Sequence, residues 1–404
     1  MKSTYLVDVT SVTEIYGDGQ RMIAAILEYT VSLPAAALSP SCFAAAGLRV
    51  SGVTVSDTYR GPAKRSGRFV ELILVSDTES SSTKISLGTG RHGRTAIRPA
   101  DLMISQMLSL KAENGEILPA FNAQPSTRTD NGIADRFVGH TYECAETGQQ
   151  LNYNFFMPEN CVPGQKYPLV LFMHDAGSCS DQLCTALAQG SGAIVWARES
   201  LMGKRPCFVV APQYPEVCAS DEFQVTWPVD VTVRLINSLT GLFPIDRARI
   251  YGTGQSMGCM MLCEMLLCYP NLFAGSLLVA GQWDPERMPA AKDAQIWAIV
   301  AEGDAKAFPI MGQCFDNMEQ AGGRVSRGHI DAGADTMIID QQIRRQKALS
   351  CNLNFTWFEG GTILPPGCPD HPGMHHVSTW IKAYDVESLR EWLFEQRLNS
   401  LNGL

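Results

Sequence analysis

One short run constrains this chain more than any other: Gly254-Gln255-Ser256-Met257-Gly258, placed between Ala248–Tyr251 and the apolar residues Met260, Met261, Cys263, Met265, Leu266 and Leu267. The residues before it suit a strand, and those after it suit a helix. A chain that leaves a strand, turns sharply and enters a helix holds the turn residue in a strained conformation. Here that residue is Ser256, and its hydroxyl is presented at the carboxyl end of the strand. Side chains two positions to either side would strike neighbouring backbone, so positions 254 and 258 require glycine. The helix then begins directly after the serine, and the Met257 N–H is free to stabilise an oxyanion. The run predicts a nucleophilic serine on a mainly parallel, helix-covered sheet.

The surrounding sequence agrees with that prediction. Pro168–Met173, Cys207–Ala211, Ala248–Tyr251, Gly275–Ala280, Ile296–Val300 and Asn354–Phe358 read as short apolar strands. They alternate with amphipathic stretches such as Val229–Leu239 and Met257–Tyr269, which is the pattern of an α/β sheet covered on both faces. Phe137–Tyr142 and Leu151–Met157 flank Gly148 and predict an antiparallel hairpin, and Val386–Gln396 predicts a terminal helix. The first third differs. Met22–Tyr29, Leu48–Val55 and Phe69–Val75 are strand-length runs between turn residues, which suggests a small β-sandwich. The polar segment Ala120–Asp135 reads as a linker. The expected organisation is a sandwich over residues 1–122 and a catalytic domain over residues 136–404.

A nucleophilic serine needs a base. In this fold the acid follows the nucleophile and the base follows the acid. Of seven histidines, four come after Ser256: His329, His371, His375 and His376. The last two lie in what reads as a Gly/Pro-rich loop between the final strand and the terminal helix. His376 is preferred, with His375 as a rival that points away or lines the site. The acid is expected after Ile296–Val300, where Asp304 fits a short loop; Glu302 and Asp335 are weaker candidates. The second oxyanion donor is expected after Leu169–Met173, from Ala176 or Gly177. His174 precedes the nucleophile and reads as a structural histidine. Trp227, Trp283, Gln255 and His375 are candidates for the substrate pocket.

Composition narrows the classes of function. The chain has 404 residues with 32 basic and 41 acidic side chains, a net charge of −9 and no Lys/Arg block, which argues against nucleic acid or an anionic membrane as partner. No stretch approaches the roughly 20 apolar residues of a membrane span. Met1–Asp8 has no apolar core, because Asp8 interrupts it, so the expectation is a cytoplasmic chain, or a secreted one if a leader has been removed. The 13 cysteines are scattered, and Cys207, Cys259, Cys263 and Cys268 lie in apolar segments, as buried reduced thiols do. Cys161, Cys179, Cys184 and Cys218 sit in polar sequence and leave room for one or two disulfides. No CxxC pair or metal spacing occurs, so neither metal nor cofactor is expected.

Taken together, these residues resemble esterases related to polyhydroxybutyrate depolymerases and feruloyl esterases that carry an N-terminal immunoglobulin-like domain. The likeness lies in Thr13–Gln20 with Ala25–Tyr29, in Gly252–Gly258, in Ala280–Asp284 and in Glu302–Ala307. It continues in His376–Trp380 and Glu391–Phe394. The resemblance implies an α/β-hydrolase fold behind the sandwich. It places the base four residues before an aromatic, which favours His376, and it favours Asp304 as the acid. One departure stands out: the family reads His-Gly in the first oxyanion loop, where this chain has His174-Asp175. An added carboxylate there would repel anionic substrates or alter the oxyanion geometry.

The expected activity is hydrolysis of small or aromatic esters, hydroxycinnamoyl esters among them, through an acyl-enzyme on Ser256. A serine peptidase of the same fold is the nearest alternative, although the relatives that cleave peptides carry a larger propeller domain. A polymer-binding protein with an inert hydrolase fold is another. The N-terminal domain is expected to shape the site or to mediate self-association.

Overall fold

The computed structural model describes residues 5–77, 79–88, 94–159 and 161–398. Part of the segment on which the leader expectation rests, residues 1–4, lies outside them. Two compact units are present. One spans the described residues up to Ile85 together with Ile97–Arg136; the other comprises Ser86–Ala96 and Phe137 onward. Among the described residues no helix is long and apolar enough to cross a membrane.

The first unit contains a five-stranded sheet and a three-stranded sheet. The larger has the order Arg128–Asp130, Leu6–Tyr16, Gly19–Pro34, Ser66–Leu74, Val50–Ser56, and the smaller has Phe121–Pro125, Met103–Gln106, Phe43–Ala45. Alternate residues of these strands meet in one core that includes Leu27, Val55, Val70, Leu72, Phe43 and Ile104. A buried hydrogen bond from the Tyr29 hydroxyl to Gln106 Oε1 (2.9 Å) joins the two sheets.

The expected linker Ala120–Asp135 is not a linker. Phe121–Pro125 pairs with Met103–Gln106, and Arg128–Asp130 runs parallel to Thr10–Val12. Some of its polar side chains bond to the opening strands. Ser11 Oγ donates to Thr129 Oγ1 (3.1 Å), and Gln20 Nε2 donates to Asn131 Oδ1 (2.9 Å). The sandwich therefore extends to Arg136, not 122.

The second unit is built on a nine-stranded sheet. Its order is Val138–Glu143, Gln150–Phe156, Phe208–Gln213, Tyr167–Met173, Ile245–Gln255, Gly275–Val279, Ile296–Ala301, Leu353–Phe358, Val325–Ile330. The opening hairpin is antiparallel, Gln150–Phe156 also pairs antiparallel with Phe208–Gln213, and the remaining pairs are parallel. Every residue of Tyr167–Met173 is buried, as expected for a parallel strand covered on both faces. Leu169, Leu171, Ile250, Ala298 and Val300 face a core closed by the helices Pro228–Leu242, Met257–Cys268 and Ala307–Gln320. On the other face Trp297 meets Trp392 of the helix Glu387–Glu395 edge to face, with ring centroids 5.3 Å apart.

The strand Val325–Ile330 was not anticipated: Arg327, Gly328 and His329 hide its period. The loop expected around His375 and His376 is in fact a helix, Pro372–Ala383. Pro372 suits the first helical position, and the His371 ring accepts from Gly373 N–H to cap it (3.1 Å). All 13 cysteines are free thiols, so the disulfides left open for Cys161, Cys179, Cys184 and Cys218 do not form, and Cys268 is exposed in the last turn of its helix rather than buried.

The core of the first unit carries a simple expectation. Leu27 is fully buried, so Leu27→Ala should cost about 2–5 kcal/mol in urea unfolding of the full chain. The same truncation at half-exposed Leu108 should stay within about 0.5 kcal/mol. Equal effects at both positions would contradict this account of the sandwich core.

Candidate active site

The site begins where the strand Ile245–Gln255 ends. Ser256 has φ 53° and ψ −116°, a left-handed conformation that a non-glycine residue adopts only under constraint, and the helix Met257–Cys268 follows at once. The constraint is steric. A Cβ on Gly254 would lie 2.4 Å from the Gly258 carbonyl, and one on Gly258 would lie 2.1 Å from the Met173 carbonyl oxygen. Both glycines are thus required by backbone packing, as their spacing implied. The Ser256 N–H donates to the Val279 carbonyl (3.0 Å), tying the turn to the neighbouring strand.

His376 lies on the helix Pro372–Ala383. Its Nε2 is 2.9 Å from Ser256 Oγ, and its Nδ1 is 2.5 Å from Asp304 Oδ2. Trp380, one helical turn on, packs edge to face on the imidazole at 5.2 Å and an interplanar angle of 87°. The structure therefore brings together Ser256, His376 and Asp304 in one hydrogen-bonded line. It does so from a helix rather than from the expected loop.

Asp304 is held from both sides. Its Oδ1 accepts from the N–H groups of Lys306 (3.1 Å) and Ala307 (3.0 Å), at the start of the helix Ala307–Gln320. Burial by itself would raise its pKa, but the His376 hydrogen bond and charge and the two backbone donors outweigh burial and lower it below 3.8.

The other acid candidates are used elsewhere. Glu302 accepts from Gly360 N–H (2.8 Å), and Asp335 caps the helix Thr336–Lys347 through Met337 N–H (2.8 Å). His375 is buried and turned away from the serine. Its Nε2 is 2.7 Å from Asp370 Oδ1, and its ring lies so close to Gly303 that a Cβ there would meet it at 2.4 Å. It packs against the loop that carries Asp304.

The loop after Tyr167–Met173 lies against the elbow through two contacts. One is the Met173 backbone against Gly258. The other is Gln255, whose Nε2 donates to Asp175 Oδ2 (3.0 Å) and to Gln189 Oε1 (2.9 Å). Gln255 is fully buried, so it holds this loop and does not face a substrate. Asp175 Oδ2 also accepts from the Ser178 hydroxyl (2.9 Å). The unexpected carboxylate is therefore spent bracing the short turn Ala176–Ser178. Among the described residues no acceptor takes the N–H of Ala176, Gly177 or Met257.

His174 is fully buried. Its Nε2 accepts from Tyr214 N–H (3.0 Å), and its Nδ1 lies 2.7 Å from the Asp175 carbonyl. Burial lowers its pKa and keeps the ring neutral, against the weaker opposing pull of Asp175. It is a structural tie, as its place before the nucleophile implied.

Trp283 corrects the pocket expectation. It is fully buried, with its indole N–H on Glu264 (3.0 Å) and its ring against Phe223 at 5.7 Å. Trp227 packs partly buried on the core and donates to Glu216 (3.1 Å). The segment after Phe208–Gln213, which the sequence did not single out, bridges several of these loops. Cys218 N–H donates to Met257 Sδ (3.2 Å), Asp221 pairs with Lys306, and Gln282 donates to Asp221 (3.2 Å).

The lowered pKa of Asp304 gives a signed expectation. A carboxylate depressed on folding adds stability above its unfolded pKa near 3.8, and that stability is lost as pH falls through the lower folded value. Asp304→Asn should therefore flatten the acid limb of the stability–pH curve below about pH 4. Urea midpoints measured along that limb read the effect. An unaltered acid limb would contradict the described environment of Asp304.

Comparison with known proteins agrees with this architecture. Residues 8–119 match the family described as the esterase Ig-like N-terminal domain. No curated protein matches the chain. Among solved structures, a thermostable esterase superposes with a TM-score of 0.82 at 24% identity, covering 97% of this chain and 100% of its own. A feruloyl esterase module from Clostridium thermocellum (TM-score 0.38, 14% identity, 63% of this chain and 89% of its own) is far more distant. So is a ferulic acid esterase from Anaeromyces mucronatus (TM-score 0.40, 13%, 63% and 91%). The chain has an α/β-hydrolase fold preceded by an immunoglobulin-like domain.

Proposed function

We propose that this chain is a serine carboxylesterase. The observation that carries the reading is the continuous line Asp304–His376–Ser256, with 2.5 Å and 2.9 Å links, ending on a serine held in a strained elbow. Such a line is the arrangement that turns a hydroxyl into a nucleophile. The likeness in fold to a thermostable esterase is consistent with it.

In this reading His376 Nε2 takes the proton from Ser256 Oγ as the oxygen attacks the ester carbonyl. Asp304 holds Nδ1–H and stabilises the imidazolium that forms. The tetrahedral oxyanion is received by the N–H of Met257 and by that of Ala176 or Gly177, which no acceptor among the described residues takes. His376 then returns its proton to the leaving alcohol, leaving an acyl-enzyme on Ser256. Water deprotonated by His376 releases the acid and restores the serine. Small or aromatic acyl groups, hydroxycinnamoyl groups among them, are the proposed substrates.

A chromogenic ester series from acetyl to octanoyl, with a feruloyl ester added, tests the proposal. Wild type should turn over at least one member, and Ser256→Ala should lose at least about 10³-fold in kcat while keeping its fold. The chain-length profile then measures the acyl pocket. A folded wild type inactive on every ester, or a Ser256→Ala variant as active as wild type, would overturn the reading.

A further inference from the structure

A second feature lies at the opposite end of the catalytic sheet. A cavity of about 270 Å³ opens at the amino-terminal edge of the parallel strands, lined by Lys166, Lys204, Arg205, Arg249, Gln165 and Phe394 among others. Lys166 stands just before the strand Tyr167–Met173, and Arg205 stands shortly before Phe208–Gln213. Arg249 lies on the strand that ends at Ser256, seven residues on, or roughly 20 Å at the rise of an extended chain. The cavity is therefore remote from the elbow.

Four cations meeting in one cavity is unexpected in a chain of net charge −9. Two of them are neutralised locally. Arg249 Nε bonds Asp246 Oδ2 (2.8 Å), although Asp246 is shared with Arg397 (3.0 Å), and Lys204 reaches Glu387 at 3.5 Å. Among the described residues the ammonium of Lys166 and the guanidinium of Arg205 meet no acidic group. The Nη1 of Arg205 is buried with no acceptor. A buried guanidinium N–H without a protein acceptor leaves one hydrogen bond for water or a ligand to supply. The uncompensated local charge is about +2 by this count of groups, the complement of a dianion.

We infer that this cavity binds a small phosphate-type dianion, either inorganic phosphate or the phosphoryl group of a small phosphomonoester. The Arg205 fork donates to the phosphoryl oxygens, and the Lys166 ammonium adds charge at the mouth. The volume is just below the usual range of ligand pockets, which suits a phosphoryl group with a short carbon chain. This site is separate from the proposed ester hydrolysis and does not depend on it.

Calorimetric titration of the full chain with inorganic phosphate, and in parallel with glycerol phosphate, at low ionic strength tests the inference. Saturable binding is expected, weakened at least about tenfold by Arg205→Gln. A smaller loss is expected for Lys166→Gln, an exposed position whose change leaves folding intact, with thermal melts of the free proteins as the check. Tighter binding of glycerol phosphate identifies a phosphomonoester as ligand, and equal affinity identifies free phosphate. Absence of saturable binding for both probes overturns the inference, as does an affinity unchanged in both variants.

Discussion

The left-handed backbone at Ser256 is the constraint from which the catalytic unit follows. It exists only because two glycines let three segments of backbone meet. Gly254 leaves space for the first turn of the elbow helix, and Gly258 leaves space for the end of the strand Tyr167–Met173. The strain at the serine is borne by this packing and by the parallel strands beside it, whose Val279 carbonyl receives the Ser256 N–H. The same contact at Gly258 brings the loop that starts at His174 against the elbow, so one steric requirement positions both Ser256 and that loop.

Around this point the polar groups divide their work by environment. His174 follows the strand Tyr167–Met173, His376 meets the serine after Ile245–Gln255, and the two differ in partner. The first is buried and neutral, tied to backbone at both nitrogens; the second lies between a carboxylate and a hydroxyl. The two carboxylates differ in the same way. Asp304 takes two backbone N–H groups and an imidazole, whereas Asp175 takes a glutamine amide and a serine hydroxyl. A carboxylate in the loop after Met173 is thus compatible with the fold, because Gln255 and Ser178 both donate to its Oδ2.

Much of this was legible in the sequence, for reasons that can be named. The elbow was legible because its two glycines flank the serine at fixed spacing, although only the Gly254 collision is local and that of Gly258 is with Met173, distant in sequence. Asp304 was legible because acid loops follow strands, and Ile296–Ala301 is an unbroken apolar run. The partners of Gln255 were not legible, since Asp175 and Gln189 are 80 and 66 residues away. Trp283 and His375 were left between two readings because nothing local distinguishes a pocket aromatic or imidazole from one buried against Phe223 or Gly303. The helix carrying His376 was masked by Gly and Pro nearby, although Pro372 is well suited to a first helical position. The polar stretch Ala120–Asp135 read as linker because strands that satisfy side-chain networks lack the apolar alternation that marks a buried face.

The central claim is that Ser256 is activated by His376, and covalent labelling tests it most directly. Diisopropyl fluorophosphate transfers its phosphoryl group to an activated serine oxygen and releases fluoride. Peptide mass mapping of the treated full chain should find a single adduct, on the peptide that carries Ser256. The same treatment of a folded His376→Ala variant should leave Ser256 unmodified over the same time. An unlabelled wild type, an adduct on another residue with Ser256 intact, or equal labelling without the imidazole would contradict the account.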